Sequence, residues 1–233
     1  MAQNWVVVPH EAPADAAEAE RIQKSLRERL VLPQERIEMP ATVTGVDISY
    51  AVGSRRAVAA AVTVDVHNLW VREVATAEGT ITFPYVPGLL AFRELPLLLE
   101  ALGGLGQRPE MLVCDGYGIA HPRRFGLASH LGVLFDLPAF GIAKSLYLGS
   151  HDEPGPRRGE WAALTEGDEV LGRAVRTQTE VNPVYVSVGH RIGLPDATGL
   201  TVALSTHFRI PEPTRQADII SRQVLRDTWH GMH

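Results

Sequence analysis

The chain has 233 residues, with 22 Lys and Arg against 27 Asp and Glu, a formal net charge of −5. Hydrophobic residues make up 45% and charged residues 21%, which argues against a disordered chain and favours one globular domain over residues 1–233. The single cysteine, Cys114, excludes an intrachain disulfide and an all-cysteine zinc site, so we expect a reducing, cytoplasmic location. No apolar run approaches the roughly 20 residues of a membrane span, so no membrane association is expected. The acidic balance argues against nucleic acid as a partner, because phosphate-binding proteins usually carry excess positive charge.

The apolar pattern predicts an α/β chain. In chain order the predicted elements are helix 13–32, strands 42–50, 57–66 and 70–77, helix 89–105, strand 111–114, helix 125–135, strands 139–143 and 184–188, and helices 195–206 and 213–230. Short links between the first three strands favour antiparallel hairpins, and the later strand–helix–strand alternation favours parallel pairing. A mixed sheet of three antiparallel strands followed by parallel strands, with helices on both faces, is an RNase H-like fold. This is the fold that we predict.

Two acidic residues interrupt the predicted strands. Asp47 lies mid-strand between Val46 and Ile48, where an isolated buried carboxylate costs several kcal/mol unless it is paired or binds a metal. A solvent-facing position on the strand is the competing interpretation. Asp115 ends an apolar strand, where open α/β sheets place ligand chemistry, although a turn-forming Asp-Gly is also common.

Two further carboxylates, Glu94 and Asp218, stand in predicted helices, where each alone fits an exposed stripe. Together with Asp47 and Asp115 they suggest a metal site, because carboxylate oxygens are preferred ligands of Mg²⁺. Two such ions about 4 Å apart can activate water and stabilise the leaving oxygen of a phosphodiester. If the first and fourth strands are neighbours, Asp47 and Asp115 can share one ion.

Other side chains point to a polyanionic partner. A basic and imidazole cluster falls within 30 residues after Asp115 and comprises His121, Arg123, Arg124, His130 and Lys144. Each alone would usually be structural, but as a group they favour contact with phosphates. Tyr85 lies in a loop stiffened by Pro84 and Pro87, where it either packs on the core or serves as a wedge or stacking platform for a base.

Five segments resemble the endonuclease V family. They are residues 45–50 (Gly-Val-Asp-Ile-Ser-Tyr), 83–94 (Phe-Pro-Tyr-Val-Pro-Gly-Leu-Leu-Ala-Phe-Arg-Glu), 115–123 (Asp-Gly-Tyr-Gly-Ile-Ala-His-Pro-Arg), 141–145 (Gly-Ile-Ala-Lys-Ser) and 211–215 (Pro-Glu-Pro-Thr-Arg). The resemblance runs in order from about residue 15 to residue 228. It implies an RNase H-like, Mg²⁺-dependent nuclease, with Mn²⁺ as a substitute ion. Such enzymes recognise deoxyinosine in double- or single-stranded DNA. They cut the second phosphodiester bond on its 3′ side, leaving 3′-hydroxyl and 5′-phosphate ends.

The resemblance also implies roles for individual residues. The metal ligands implied are Asp47, Glu94, Asp115 and Asp218, and the catalytic residues are Asp47, Glu94, Asp115, His121 and Lys144. The DNA-binding residues implied are the wedge Tyr85, the base-pocket residues Gly88, Leu90, Gly116 and Gly141, and the phosphate contact Arg123. We expect a monomer.

The chain departs from the family pattern in three places. Tyr117 stands where Gln is usual, Val188 replaces a usual proline, and Asp218 occupies a position that is His in some members. Tyr117 borders the active-site loop, where it would alter lesion preference. Three alternatives stay open: an endoribonuclease acting on inosine in single-stranded RNA, a catalytically silent nucleic-acid-binding relative, and a metal-dependent phosphatase. The phosphatase is disfavoured because it would leave Tyr85 and the base pocket without a purpose.

Overall fold

The computed structural model describes residues 5–33 and 35–230. Its elements in chain order are α1 (Ala16–Arg27), β1 (Thr42–Tyr50), β2 (Arg56–Asp65), β3 (Val71–Thr80), α2 (Leu90–Gly103), β4 (Leu112–Asp115), α3 (Leu127–Phe135), β5 (Ala139–Ala143), β6 (Trp161–Glu166), β7 (Glu169–Val175), β8 (Val184–His190), α4 (Leu194–Ala203) and α5 (Glu212–His230). Within these ranges, one sheet runs in the order β3-β2-β1-β4-β5-β8-β7-β6.

The first five strands confirm the predicted fold class. β1, β2 and β3 form an antiparallel meander, and β4 and β5 then run parallel to β1. In the pairing of β1 with β4, Val46 lies opposite Cys114. Asp47 and Asp115 each follow directly after one of these paired residues. The two aspartates therefore lie side by side on neighbouring strands.

The second half of the sheet differs from the prediction. β8 pairs antiparallel with β5, and the hairpin β6–β7, which was not predicted, extends the same sheet. Most side chains of β6 are exposed or half-buried, and Leu164 is its one buried residue. A strand that buries so few side chains has little of the apolar alternation that sequence reasoning depends on. Parallel pairing among the later strands is therefore confined to β4 and β5.

Helix boundaries also shift. α1 begins after Asp15, whose side chain accepts a hydrogen bond from the Glu18 N–H at 2.8 Å, and it ends at Arg27 rather than at residue 32. An N-cap of this kind satisfies a donor that the first helical turn leaves open. Pro96 lies inside α2, on its exposed side. Among the helices in the described part of the chain, none is long and apolar enough to cross a bilayer.

Helices cover both faces of the sheet, as predicted. On one face, Val46 and three alanines of β2 pack with the leucines of α2 and α3. On the other face, Val113 of β4 and Phe140 of β5 pack with Leu200 of α4, and Val62 packs against Ala217 of α5. Side chains alternate between the two faces along β1, so Val46 faces α2 and the neighbouring odd-numbered residues face α5.

Gly45 allows β1 and α5 to approach each other at the backbone. A Cβ at Gly45 would lie 2.2 Å from the carbonyl carbon of Pro213 and 2.5 Å from the Thr214 nitrogen. Real Cβ atoms do not approach backbone this closely, so the first turn of α5 rests directly on β1. Asp218 follows one turn later on the same helix, and this contact brings it toward Asp47.

Candidate active site

A cleft opens where β1, β4 and β5 end. Asp47, Asp115, Lys144 and Asp218 line it, the last from α5. Lys144 directly follows β5, and its Nζ donates a hydrogen bond to Asp115 Oδ2. The topology therefore places the predicted strand carboxylates and the predicted lysine side by side.

Glu94 reaches this cleft from the opposite face of the sheet. It lies on α2, is 6% exposed, and its Oε1 accepts a hydrogen bond from the Tyr50 hydroxyl at 2.7 Å. Together with Asp47, Asp115 and Lys144 it lines an adjoining part of the cleft. All four predicted metal ligands thus surround one region, although they come from two strands and two helices.

The carboxylates repel one another in this region. Burial raises the pKa of Asp47 well above its usual range, and the negative charge of Asp115 raises it further against the opposing effect of Lys144. Burial also raises the pKa of Glu94 to about 7, although its hydrogen bond from Tyr50 favours the charged form. Burial disfavours the charged Lys144, but Asp115 and its neighbours outweigh that effect and raise the lysine pKa. One lysine offsets only part of this negative charge.

The donor chemistry fits a hard divalent cation. Carboxylate oxygens are what Mg²⁺ and Mn²⁺ prefer. A cation would offset both the burial of negative charge and the repulsion by Asp115, which together raise the pKa of Asp47 and Glu94. Within residues 5–33 and 35–230, however, no three His, Cys, Asp or Glu side chains form a ready-made metal-binding group. Lys144 holds Asp115, and Arg222 Nε lies 2.8 Å from Asp218 Oδ1. Binding of an ion would require these carboxylates to exchange or share their present partners.

An apolar pocket of about 160 Å³ adjoins the cleft. Its lining includes the predicted DNA-binding residues Tyr85, Gly88, Leu90 and Gly116, together with Gln23, Tyr117, His121, Leu127 and Tyr147. Pocket and cleft share Leu90, Gly116, Tyr117 and Leu127 as a common wall. Tyr85 is 69% exposed at this pocket. A small planar group held here would lie next to the carboxylates.

Gly141 does not contribute to the pocket surface in the way predicted. It is buried in the middle of β5, and a Cβ there would lie 2.4 Å from Gly116 O and 2.8 Å from the Tyr117 carbonyl carbon. Its lack of a side chain lets the segment after Asp115 pass close over β5. Gly141 therefore supports the pocket wall from beneath.

Most side chains of the predicted basic cluster are buried or bonded to other residues of the protein. Arg123, predicted to contact DNA, bonds through Nη2 to Gly88 O at 2.7 Å and through Nε to Gln23 Oε1 at 2.6 Å. Arg124 pairs with Glu166 and Glu169 at the β6–β7 turn. His130 is fully buried. Of this cluster, Lys144 is the member that lines the carboxylate cleft. Arg123 supports the loop beside the pocket through its bonds, and its contact with DNA stays a prediction.

His121 lines the pocket rather than the cleft. Its Nε2 lies 3.0 Å from Gly88 O, and its Nδ1 accepts the Arg123 backbone N–H at 3.1 Å. Burial, reinforced by the charge of Arg123, lowers the pKa of His121 to about 4. The ring is therefore neutral, with its proton on Nε2, and both nitrogens are in use. A direct catalytic role, as predicted, would require His121 to leave these bonds.

Several residues of the site were not singled out from the sequence. Arg222 and Arg226 line the carboxylate cleft from α5, and Tyr147 lines the pocket with its ring centre 5.4 Å from that of Tyr117. Gln23 lines the pocket from α1. For Gln23 a signal was available, because it lies on the apolar stripe of α1 where a polar side chain is unexpected.

The fold and the site define a nuclease: a mixed sheet carries carboxylates and a lysine in one cleft, beside an apolar pocket. The family model described as Endonuclease V matches residues 24–219. The chain belongs to the Endonuclease V family.

Individual relatives agree with this assignment over nearly the whole chain. Endonuclease V of Streptomyces coelicolor is 52% identical over 224 residues, covering 95% of this chain and 96% of the relative. The crystal structure of Endonuclease V from Streptomyces avermitilis is 50% identical, with a TM-score of 0.89 and coverage of 95% and 97%. Endonuclease V from Ciona intestinalis is 29% identical, with a TM-score of 0.78 and coverage of 91% and 98%. That relative was solved in complex with a 24mer DNA containing an inosine followed by a ribo-adenosine.

Proposed function

We propose that this chain is a DNA repair endonuclease that recognises deoxyinosine and hydrolyses the second phosphodiester bond on its 3′ side. The products are a 3′-hydroxyl and a 5′-phosphate. The observation that carries the proposal is the apolar pocket, with Tyr85 exposed beside it, which shares a wall with the carboxylate cleft. The inosine-containing DNA bound by the Ciona relative supports the same substrate.

Recognition would begin with extrusion of the base. Tyr85 enters the duplex as a wedge, and hypoxanthine moves into the pocket at an unstacking cost of a few kcal/mol. An inosine pair is weaker than a normal pair, so this cost is lower at the lesion. Backbone groups of the pocket wall then read the edge of the base, while Tyr117 and Tyr147 offer ring surfaces beside it.

Hydrolysis would occur in the cleft. We propose Mg²⁺, or Mn²⁺ in its place, as the cofactor held by Asp47, Glu94, Asp115 and Asp218; when bound it supplies Lewis-acid activation of water and offsets charge on the phosphate. Lys144, oriented by Asp115, donates to the phosphoryl oxygens as negative charge develops on them. Tyr50 holds Glu94 in place through its hydroxyl.

Mapping the cut tests this proposal directly. End-labelled duplexes would carry inosine, uracil or an abasic site in one sequence context. The expected result is a nick at the second bond 3′ to inosine in Mg²⁺, with no nick when EDTA is present. Equal cutting of all three substrates, or cutting at another bond, would contradict the proposed specificity. No cleavage with Mg²⁺ or Mn²⁺ would favour the catalytically silent relative.

RNA is a second candidate substrate. The DNA bound by the Ciona relative has a ribonucleotide directly after the inosine, which places ribose next to the lesion in that complex. Matched DNA and single-stranded RNA strands with one inosine each separate the two activities. Faster cleavage of the RNA strand would make the endoribonuclease activity the main one.

Replacing Tyr85 with alanine should weaken binding to an inosine duplex by about tenfold or more, because a base-stacking aromatic contributes about 1–3 kcal/mol. Binding to the unmodified duplex should change little. Fluorescence anisotropy with both duplexes measures the two affinities. Trp70→Ala is the matched control, since Trp70 is also 69% exposed but lies outside the site, before β3. Equal losses on both duplexes would contradict the wedge.

Replacing Arg226 with alanine should weaken binding of lesion and unmodified DNA to the same extent. Arg226 lines the cleft, where its charge would neutralise a phosphate. Loss of one phosphate contact lowers the slope of log K against log salt concentration by about 1. Arg157→Ala is the control, because Arg157 pairs with Glu160 in a loop outside the site. A slope equal to that of the control variant would exclude this contact.

A further inference from the structure

One backbone carbonyl in the pocket wall accepts an unusual number of hydrogen bonds. Gly88 O lies 3.0 Å from Gln23 Nε2, 3.0 Å from His121 Nε2 and 2.7 Å from Arg123 Nη2. A carbonyl oxygen has two lone pairs, so three donors leave it no capacity for a ligand. Two separate parts of the chain, α1 and the segment of residues 121–123, thus converge on the loop that carries Tyr85.

Gln23 occupies the centre of this convergence. Its amide donates to Gly88 O and also to Phe125 O at 3.1 Å, and its oxygen accepts from Arg123 Nε at 2.6 Å. The side chain is 1% exposed and lines the pocket. These bonds use both protons of the amide and one lone pair of its oxygen, and the side chain is almost fully buried, so Gln23 contributes to the pocket through its position.

The loop conformation depends on this support. Gly88 has a φ of +79°, and a Cβ there would lie 2.7 Å from Arg123 Nη2, so the guanidinium rests directly on the backbone. Apolar contacts join the same regions, since Leu89 and Phe92 pack with Ala19 of α1. Glu20 of α1 completes the arrangement, with Oε1 at 3.2 Å from Arg123 Nη1.

We infer that Gln23 is a positioning residue that determines how selectively the pocket accepts hypoxanthine. It fixes the distance between the Tyr85–Gly88 loop and the segment before α3, which are the two sides of the pocket. Helix α1 is therefore part of the recognition apparatus, although it contributes nothing to the carboxylate cleft. This inference rests on the proposed function.

Two substitutions test the inference in the full chain. Gln23→Glu keeps an acceptor for Arg123 but loses both donors, and Gln23→Met loses all three bonds at similar length. With inosine and uracil duplexes in Mg²⁺, KM for inosine should rise about tenfold and the ratio of kcat/KM between the two should fall about tenfold, while kcat on inosine changes little. An interaction that stabilises the bound substrate and the transition state equally affects KM and not kcat, so its loss should raise KM alone.

Gln178→Met controls for the loss of a glutamine that bridges two backbone carbonyls. Gln178 also donates to two carbonyls, Ser205 O at 2.7 Å and Phe208 O at 3.1 Å, but lies away from the pocket. We expect it to lower Tm without changing the selectivity ratio. Glu20→Ala, at a 43% exposed side chain, perturbs Arg123 with little risk to folding and should shift the ratio in the same direction by about threefold.

The possible results distinguish failure of the inference about Gln23 from failure of the proposed function. Unchanged selectivity in the folded Gln23 variants, or in Glu20→Ala if those variants do not fold, would overturn the inference. A selectivity loss of equal size in Gln178→Met would do the same, because it would show a general effect of stability. Wild-type protein that cuts inosine and uracil duplexes equally would instead overturn the proposed function.

Discussion

Asp47→Asn should lower the rate of inosine-dependent cleavage by roughly 10³-fold and, in the absence of metal, make the protein more stable at pH 8. Asparagine keeps the shape of the side chain but removes a negative charge from the cleft. Burial and the charge of Asp115 raise the pKa of Asp47, so the ionised form is disfavoured in the folded protein. The same charge that binds a cation therefore destabilises the metal-free fold.

The sign of this stability effect follows from proton linkage. A carboxyl whose pKa is raised by folding binds its proton more tightly in the folded state, so stability falls as pH rises above the unfolded pKa of about 4. Asparagine cannot ionise and avoids that loss. Tm of the variant should exceed that of wild type at pH 8 by about 2–4 °C for each kcal/mol recovered, with little difference near pH 4.

Thermal melts in EDTA at both pH values, with single-turnover cleavage in Mg²⁺, measure the two parts of this prediction. Asp168→Asn is the control, because Asp168 is exposed in the β6–β7 turn. It should leave both readouts at wild-type values. Cleavage by Asp47→Asn at the wild-type rate would remove Asp47 from the metal ligands, and a lower metal-free Tm at pH 8 would contradict the electrostatic argument.

The Mg²⁺ concentration needed for half-maximal cleavage should fall about 10- to 100-fold between pH 6 and pH 8. Glu94 has a pKa of about 7 and that of Asp47 is also raised, so protons compete with the ion over this range. Each proton displaced on binding changes the apparent affinity up to about tenfold per pH unit. Exposed carboxylates with pKa values near 4 would be fully ionised and would give no such dependence.

The variant Tyr50→Phe tests whether Glu94 causes this pH dependence of the Mg²⁺ requirement. The Tyr50 hydroxyl favours the charged form of Glu94, so its removal should raise the pKa of Glu94 and move the pH dependence to higher values. Tyr185→Phe is the matched control, because its hydroxyl contacts His151 outside the cleft. A metal requirement that is constant from pH 6 to pH 8 would show that these carboxylates are already ionised in the working site.

Two residues of the site could be predicted from the local sequence pattern and from the rules of strand pairing. A polar residue within an apolar strand identified Asp47, and a strand that ends in Asp-Gly identified Asp115. The parallel pairing of β1 with β4 then follows from the order of hairpins and crossover, and it brings the two together. Glu94 and Asp218 were suggested only as members of the group of four, because each alone is an ordinary helical acid, and the resemblance then implied their role as metal ligands.

Contacts between residues that are remote in the sequence could not be predicted. Arg123 and His121 look like phosphate contacts within their own segment. The partners of Arg123, Glu20 and Gln23, lie about a hundred residues earlier, and His121 bonds to the backbone oxygen of Gly88. Local composition cannot reveal that a cation is already paired. The β6–β7 hairpin was missed for a different reason, since its stability comes from pairing with β8 rather than from its own apolar pattern.

The contact between Gly45 and Pro213 has a consequence for how freely this sequence can vary. Main chain rests on main chain at that point, so a rigid contact limits how closely α5 can approach β1. Side chains hold the helix against this limit, because Ser49 and Ser221 share a hydrogen bond of 2.7 Å and Val62 packs on Ala217. Any residue larger than glycine at position 45 would therefore displace α5, and Asp218 with it, whatever side chains pack on the inner face of the helix.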